Sequence, residues 1–390
     1  MPQPAIPHSA TDPPLPATAS AGSGRIVELD ATRSMLMVLG VVVHAANPYA
    51  VGTSWIVSDG NDQPWLEHLH DLPHAFRMSG FFLLAGFLGT LALNKRGVRD
   101  YLGRRTTRLL YPLAMALLTI NVFQYWYVYH YIATHCANAT GACAAHVTPG
   151  LWVAHLWFLF FLVGYSLLLP ALVRTCHWAP LRELLRRSSA VHWPLVVSLM
   201  VPFVGSLLLK TASLAFPWLY LQQLGIGSVF DFIRFGLYFA LGVLIASWPT
   251  LGQRFVTLPP RTALLLVLTG TAAYVVAGYL ATGHGWQLRA AQVVTYACQS
   301  LLTIGAVRLF MLLSHRLPGL ATRVADSSYT VYLFHHPLVV VTALALVGWP
   351  GPAWAKFLLV CTVAGGVSYQ LHRWVISRSV LLRRLFNGVG

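Results

Sequence analysis

The chain has 390 residues, 56% of them hydrophobic and 9% charged, with a mean hydropathy of +0.63 and a formal net charge of +15. Soluble domains carry about 25% charged residues, so this composition excludes a water-facing surface over most of the molecule. The Lys and Arg gather in short clusters between apolar runs. That excludes a nucleic-acid surface and leaves membrane lipids or an anionic small ligand as partners.

Residues 1–24 are rich in Pro, Ala, Ser and Thr, hold no core-forming run, and read as a disordered tail. No basic segment followed by an apolar stretch opens the chain, so the first apolar run is expected to be its own uncleaved anchor. Apolar runs then fall at 29–50, 70–93, 108–130, 152–173, 192–213, 226–248, 262–282, 290–312, 327–348 and 353–374. Each is near the ~20 residues that cross about 30 Å of hydrocarbon. The expected fold is an all-α integral membrane protein of about ten transmembrane helices, with a membrane domain over 25–376 and a basic tail over 377–390.

Sidedness follows from the connectors. Lys95, Arg96, Arg99, Arg104, Arg105 and Arg108 lie between runs two and three, and Arg174, Arg182, Arg186 and Arg187 between runs four and five. Arg254 and Arg261, then Arg316 and Arg323, mark the later even-numbered connectors, and Arg378, Arg383 and Arg384 follow run ten. The first connector holds three acids and no base, and the third, around THCANATGACAAHVTPG, holds no charge. Both termini and the even-numbered connectors are therefore expected in the cytoplasm.

Cysteines stand at 136, 143, 176, 298 and 361 with no metal-ligand spacing, so no metal is expected. Cys136 and Cys143 share one external connector, where a disulfide and two separate thiols are equally good readings. The sequon at Asn138 matters only in a glycosylating host.

Ionisable residues at bilayer depth are functional candidates. Run one carries Asp30, Arg33 and His44; Arg33 and His44 share a face about 16 Å apart along the axis, and Asp30 lies one turn before Arg33. Run two carries His74 and Arg77 in its outer half, run six the pair Asp231 and Arg234, and run nine His335 and His336 before Pro337. Counting about 1.5 Å per residue puts His44 roughly 20 Å and His335 roughly 12 Å from one edge, and Arg77 about 17 Å from the other. Three groups on three helices are thus expected to converge on a cavity, although each His alone reads as well as a buried, satisfied imidazole. Arg104, Arg105 and Arg108 form a second, cytoplasmic cluster, either a topology signal or a phosphate-binding set.

The motifs RSMLMVLGVVVH (33–44), FRMSGFFLLAGFL (76–88), RTTRLLYP (105–112), HLWFL (155–159) and SSYTVYLFHHPL (327–338) together resemble the membrane-bound acyltransferase type 3 family. Their order and spacing most resemble its glucan biosynthesis C branch, which is associated with succinylation of osmoregulated periplasmic glucans. The resemblance runs from about Arg25 to the last run; the Pro/Ala-rich tail and the Cys-containing connector depart from it.

The resemblance implies a multi-pass bacterial inner-membrane O-acyltransferase that moves a succinyl group from cytoplasmic succinyl-CoA to glucose hydroxyls of a periplasmic glucan, with no tightly bound cofactor. It implies His44 as general base, with Asp30 and Arg33 ordering its helix. Arg104, Arg105 and Arg108 would hold the donor phosphates. His74, Arg77, Trp157, Tyr332, His335 and His336 would line the substrate path. An O-acetyltransferase acting on another envelope glycan stays open. A secondary transporter is disfavoured, because runs one to five and six to ten show no internal repeat.

Overall fold

The computed structural model describes residues 27–52, 55–136, 143–148, 150–178, 183 and 193–388; the tail over 1–24 and the Asn138 sequon lie outside them. The described residues are helical almost throughout. The exceptions are connectors and a small hairpin of Gln222–Gln223 against Gly227–Ser228. In chain order the helices are α1 (Val27–Ala46), α2 (Pro64–Arg96), α3 (Val98–Met115), α4 (Val122–Tyr131), α5 (Trp157–Cys176), α6 (Trp193–Ala215) and α7 (Val229–Ser247). There follow α8 (Pro249–Val256), α9 (Pro260–Ala281), α10 (Trp286–Arg316), α11 (Pro318–Ala345), α12 (Ala353–Leu371) and α13 (Val380–Asn387).

Nine helical stretches among the described residues are long and apolar enough to cross a bilayer, with α3 and α4 joined through a π-helical turn into one span, Val98–Cys136. The tenth expected run, α12, is fully helical but lies outside that set. It carries Lys356, and its last turns, GGVSYQL, dilute its apolarity. The basic connector between runs two and three is not a loop. The helices continue through it on both sides of Gly97, so Arg104, Arg105 and Arg108 stand on the first turns of α3. The run after 377 likewise holds a helix, α13, started by a Ser379 side-chain cap.

Helix α1 sits at the centre, packed by α2, α10, α11 and α12, while α2 crosses α7. That crossing needs two glycines. A Cβ on Gly86 would lie 2.1 Å from the Phe239 carbonyl oxygen, and one on Gly242 would lie 2.0 Å from that of Leu83. Around it an aromatic core of Phe81, Phe82, Phe158, Tyr165 and Phe235 joins α2, α5 and α7.

The two ends of the bundle differ. One end gathers the arginines of α3 and α13. At the other, residues 55–63 lie across the mouth and bond to residues 144–146, with Ser58 N–H donating to the Ala144 carbonyl at 2.8 Å and His146 N–H to that of Ile56 at 2.8 Å. Cys136 and Cys143 are disulfide-bonded beside this layer, with Cα atoms 5.3 Å apart. Asp59 in the mouth layer pairs with Lys356 of α12 at 2.8 Å, and both side chains are almost fully buried. Asp231 and Arg234 form the expected pair at 3.0 Å.

Removing one partner of a buried ion pair strands the other charge and costs about 3–5 kcal/mol. Lys356→Met is expected to lower the thermal midpoint of the detergent-solubilised protein markedly. Asp59→Asn combined with Lys356→Met should recover a large part of the loss. A double variant as unstable as the single one would show that stability does not turn on the stranded charge.

Candidate active site

The sequence packs five polar side chains against one another about midway along the bundle. His44 lies in the last turn of α1, and His335 and His336 lie on α11 just ahead of Pro337. The His44 ring centroid is 5.4 Å from that of His335 and 5.0 Å from that of His336. His155, in the short turn that leads into α5, stacks on His336 at 4.7 Å and meets His335 at 5.3 Å. Arg77 of α2 completes the group, passing so close to α1 that a Cβ on Gly40 would lie 2.1 Å from its Nη1 and 3.8 Å from His335 Nε2. The predicted convergence of His44, Arg77 and His335 is present.

Hydrogen bonds set the roles of the rings. His335 Nδ1–H donates to the carbonyls of Val331 and Tyr332 at 2.9 and 2.8 Å, which leaves Nε2 as a lone-pair acceptor with no partner. His336 Nδ1–H donates to Gln124 Oε1 at 2.7 Å. Tyr332 donates its hydroxyl to the His155 carbonyl at 2.8 Å and so ties α11 to the turn before α5. Asn121 donates to the carbonyls of Trp152 and Val153, both at 2.9 Å, and fixes the approach to that turn. His44 Nδ1 has no hydrogen-bond partner. Trp55, from the mouth layer, covers His44 and His336 with ring separations of 6.4 and 5.5 Å.

Arg77 is 7% exposed, and no acidic side chain among the described residues pairs with it. A buried cation is ordinarily matched by a carboxylate. Here the space that would hold one is a narrow pocket lined by His44, Arg77, His155, Trp157 and Tyr332.

Toward the arginine end lies a cavity of about 480 Å³. Arg33, Arg105, Arg108 and Arg383 line it, with Asp326 as its one acid. Met37, Phe81 and Phe158 line both spaces, so an apolar neck joins the basic cavity to the histidines. Arg33 is paired with Asp30 at 3.6 Å and lies over the Phe81 ring at 5.9 Å. Arg105 donates from Nε to Ser166 Oγ at 3.3 Å.

Two expected residues stand apart. Arg104 points away from the cavity into an exposed pair with Asp100 at 2.8 Å, because one residue of offset on a helix turns it to the other face. His74 stacks on His70 at 5.3 Å, one turn from Arg77 toward the mouth, and lines neither space. Conversely, His155, Trp55, Gln124, Tyr329 and Arg383 were not singled out by sequence. His155 opens the HLWFL motif and was overshadowed there by Trp157. Among the described residues, no three His, Cys, Asp or Glu are grouped to hold a metal.

A family model described as an acyltransferase domain matches residues 26–372, most of the chain. The chain belongs to the type 3 acyltransferase family. It is 25% identical over 378 residues to the glucans biosynthesis protein C of Escherichia coli, covering 92% of this chain and 94% of that protein. The protein of the same name from Salmonella gallinarum is 25% identical over 374 residues, with the same coverage. No solved structure matches the chain. The matched region contains the whole histidine cluster and the neck, and ends before α13.

Because Gly40 is all that separates α1 from the Arg77 guanidinium, Gly40→Ala is expected to push that flexible side chain aside. The acyltransferase should remain folded, its thermal midpoint nearly unchanged, while acyl transfer falls at least about tenfold. Full activity would show that the position of Arg77 is not critical.

Proposed function

We propose that this acyltransferase moves a succinyl group from succinyl-CoA to a glucose hydroxyl of a periplasmic glucan. The observation that carries the reading is Arg77, a buried guanidinium with no carboxylate partner among the described residues, set beside His44 at the end of an apolar neck. A succinyl thioester brings the missing carboxylate with it, and an acetyl group does not. Support for the acceptor class comes from the relatives, which are named for glucan biosynthesis.

The donor is a polyanion with a long thin arm. The basic cavity suits its phosphates, with Arg105 and Arg108 on one face of α3 as guanidinium forks. The neck of Met37, Phe81 and Phe158 suits the pantetheine arm, which would bring the thioester carbonyl to the histidines. In this reading the arginine end is cytoplasmic, as the positive-inside pattern requires. The mouth layer and its disulfide then face the periplasm, an oxidising compartment. The protein is accordingly placed in the bacterial inner membrane.

His44 takes the proton of the acceptor hydroxyl as its oxygen attacks the thioester carbonyl. The tetrahedral intermediate collapses with loss of the CoA thiolate, and the proton on His44 goes to that sulfur. His335 Nε2, a lone pair aimed into the same space, accepts a hydrogen bond from a second acceptor hydroxyl and orients the sugar. Arg77 holds the distal carboxylate in a charge-assisted pair, which anchors the far end of the acyl group. Asp30 pairs with Arg33 and fixes the entrance of the neck, so both act as positioning residues.

Two measurements test this reading on purified protein supplied with succinyl-CoA or acetyl-CoA and a glucan acceptor. His44→Ala is expected to lower kcat by about 10²–10⁴ with the fold intact; a folded, inserted His44→Ala protein at full activity would overturn the mechanism. Arg77→Ala is expected to raise KM for succinyl-CoA and to erase the preference for it over acetyl-CoA. An equal loss of kcat with both donors would move Arg77 to the oxyanion, and a wild-type preference for acetyl-CoA would overturn the succinyl assignment.

A further inference from the structure

We infer that α13, the helix beyond the family match, forms a wall of the donor site, and that Arg383 binds a phosphate of the acyl-CoA; this rests on the function proposed above. By composition the segment after 377 is a basic tail, yet it is folded back onto the bundle through three separate contacts.

Phe386 packs against Phe334 of α11 at 5.4 Å. Asn387 Oδ1 accepts a hydrogen bond from Thr330 at 2.9 Å, and Thr330 in turn accepts one from His372 Nδ1 at 2.9 Å. Gly388 ends the helix at φ +60°, where a Cβ would lie 2.5 Å from Arg108 Cα. The end of α13 therefore rests on the turn of α3 that carries Arg108, and no side chain fits between them. Ser379 caps the start of the helix, accepting from the Leu382 amide at 3.3 Å.

These contacts fix the orientation of α13. Val380 and Leu381, 71% and 64% exposed, face outward toward lipid, as in an interfacial helix. Arg383 and Asn387, one turn apart, share the face that lines the cavity. No ion pair forms between Arg383 and an acidic side chain of the described residues. The cavity thus draws arginines from α1, α3 and α13 around a space with one acid. Arg105 and Arg108 stand on one wall and Arg383 on another. Two walls of guanidinium groups suit a ligand whose phosphates are separated, as the diphosphate and 3′-phosphate of CoA are.

The test is calorimetric titration of the full chain, in nanodiscs of zwitterionic lipid, with CoA, 3′-dephospho-CoA and pantetheine. Arg383→Ala is expected to weaken CoA binding about tenfold or more, since charge-assisted hydrogen bonds contribute about 1.5–3 kcal/mol. Pantetheine binding should not change, and Arg383→Lys should keep part of the affinity. A second variant, Gly388→Val, displaces α13 without removing a charge and should weaken CoA in the same way. Wild type and Arg383→Ala binding CoA equally would overturn the role of α13 while leaving the proposed function standing. An equal loss for pantetheine would make Arg383 merely structural, and an effect seen only in anionic-lipid discs would make it a headgroup contact; either overturns the assignment. Wild type that binds no CoA would overturn the proposed function, and this inference with it.

Discussion

A guanidinium buried among apolar helices costs several kcal/mol unless its surroundings repay the loss of water. Arg77 occupies such a place, and much of the site is arranged around it. Gly40 clears the path for its Nη1 across α1. Arg77 thereby shares its space with His335 Nε2, whose ring is turned by two backbone carbonyls so that a lone pair faces inward. No acidic side chain of the described residues pairs with the charge, which faces a narrow pocket instead. In the function proposed above, a ligand that arrives with its own negative charge would complete the site.

The same logic separates the two spaces. Binding a polyanion needs several cations that remain near water, and those stand on helix ends at one extremity of the bundle. The histidines stand apart from those arginines, under Trp55. Met37, Phe81 and Phe158 stand between the two spaces and keep their boundary apolar. In the function proposed above, donor and acceptor would approach from opposite ends, and the acyl group need travel only the length of the arm.

Much of the fold was legible in the sequence because apolar length reports directly on the helices that lipid must solvate. The convergence of His44, Arg77 and His335 was also legible, since a helix converts residue number into depth at a constant rise. What depth cannot give is rotation about the axis. Arg104 and Arg105 are adjacent in sequence, but one meets Asp100 on the surface and the other Ser166 inside. His155 and Trp55 reach the site from connectors, which carry no periodicity to read. Helix α12 blurred the apolar count because Lys356 is matched by Asp59 from a distant connector, a pairing 297 residues apart in sequence.

The disagreement over the residues after 377 is the more instructive one. Arginine-rich composition alone reads as a solvated tail, and for Arg384 that reading is adequate. The order within VLLRRLFNG tells more: apolar residues on two faces and Arg383 in register with Asn387 describe a helix with three different neighbours. Lipid takes Val380 and Leu381, the core takes Phe386, and the cavity takes Arg383. Gly388 is the residue that locks this division, because its left-handed φ and missing Cβ let the helix end touch the α3 backbone. The family match ends at residue 372, before α13. The arginines of α3 lie inside the matched region and Arg383 lies beyond it, yet the contact of Gly388 with the α3 backbone brings both to one cavity.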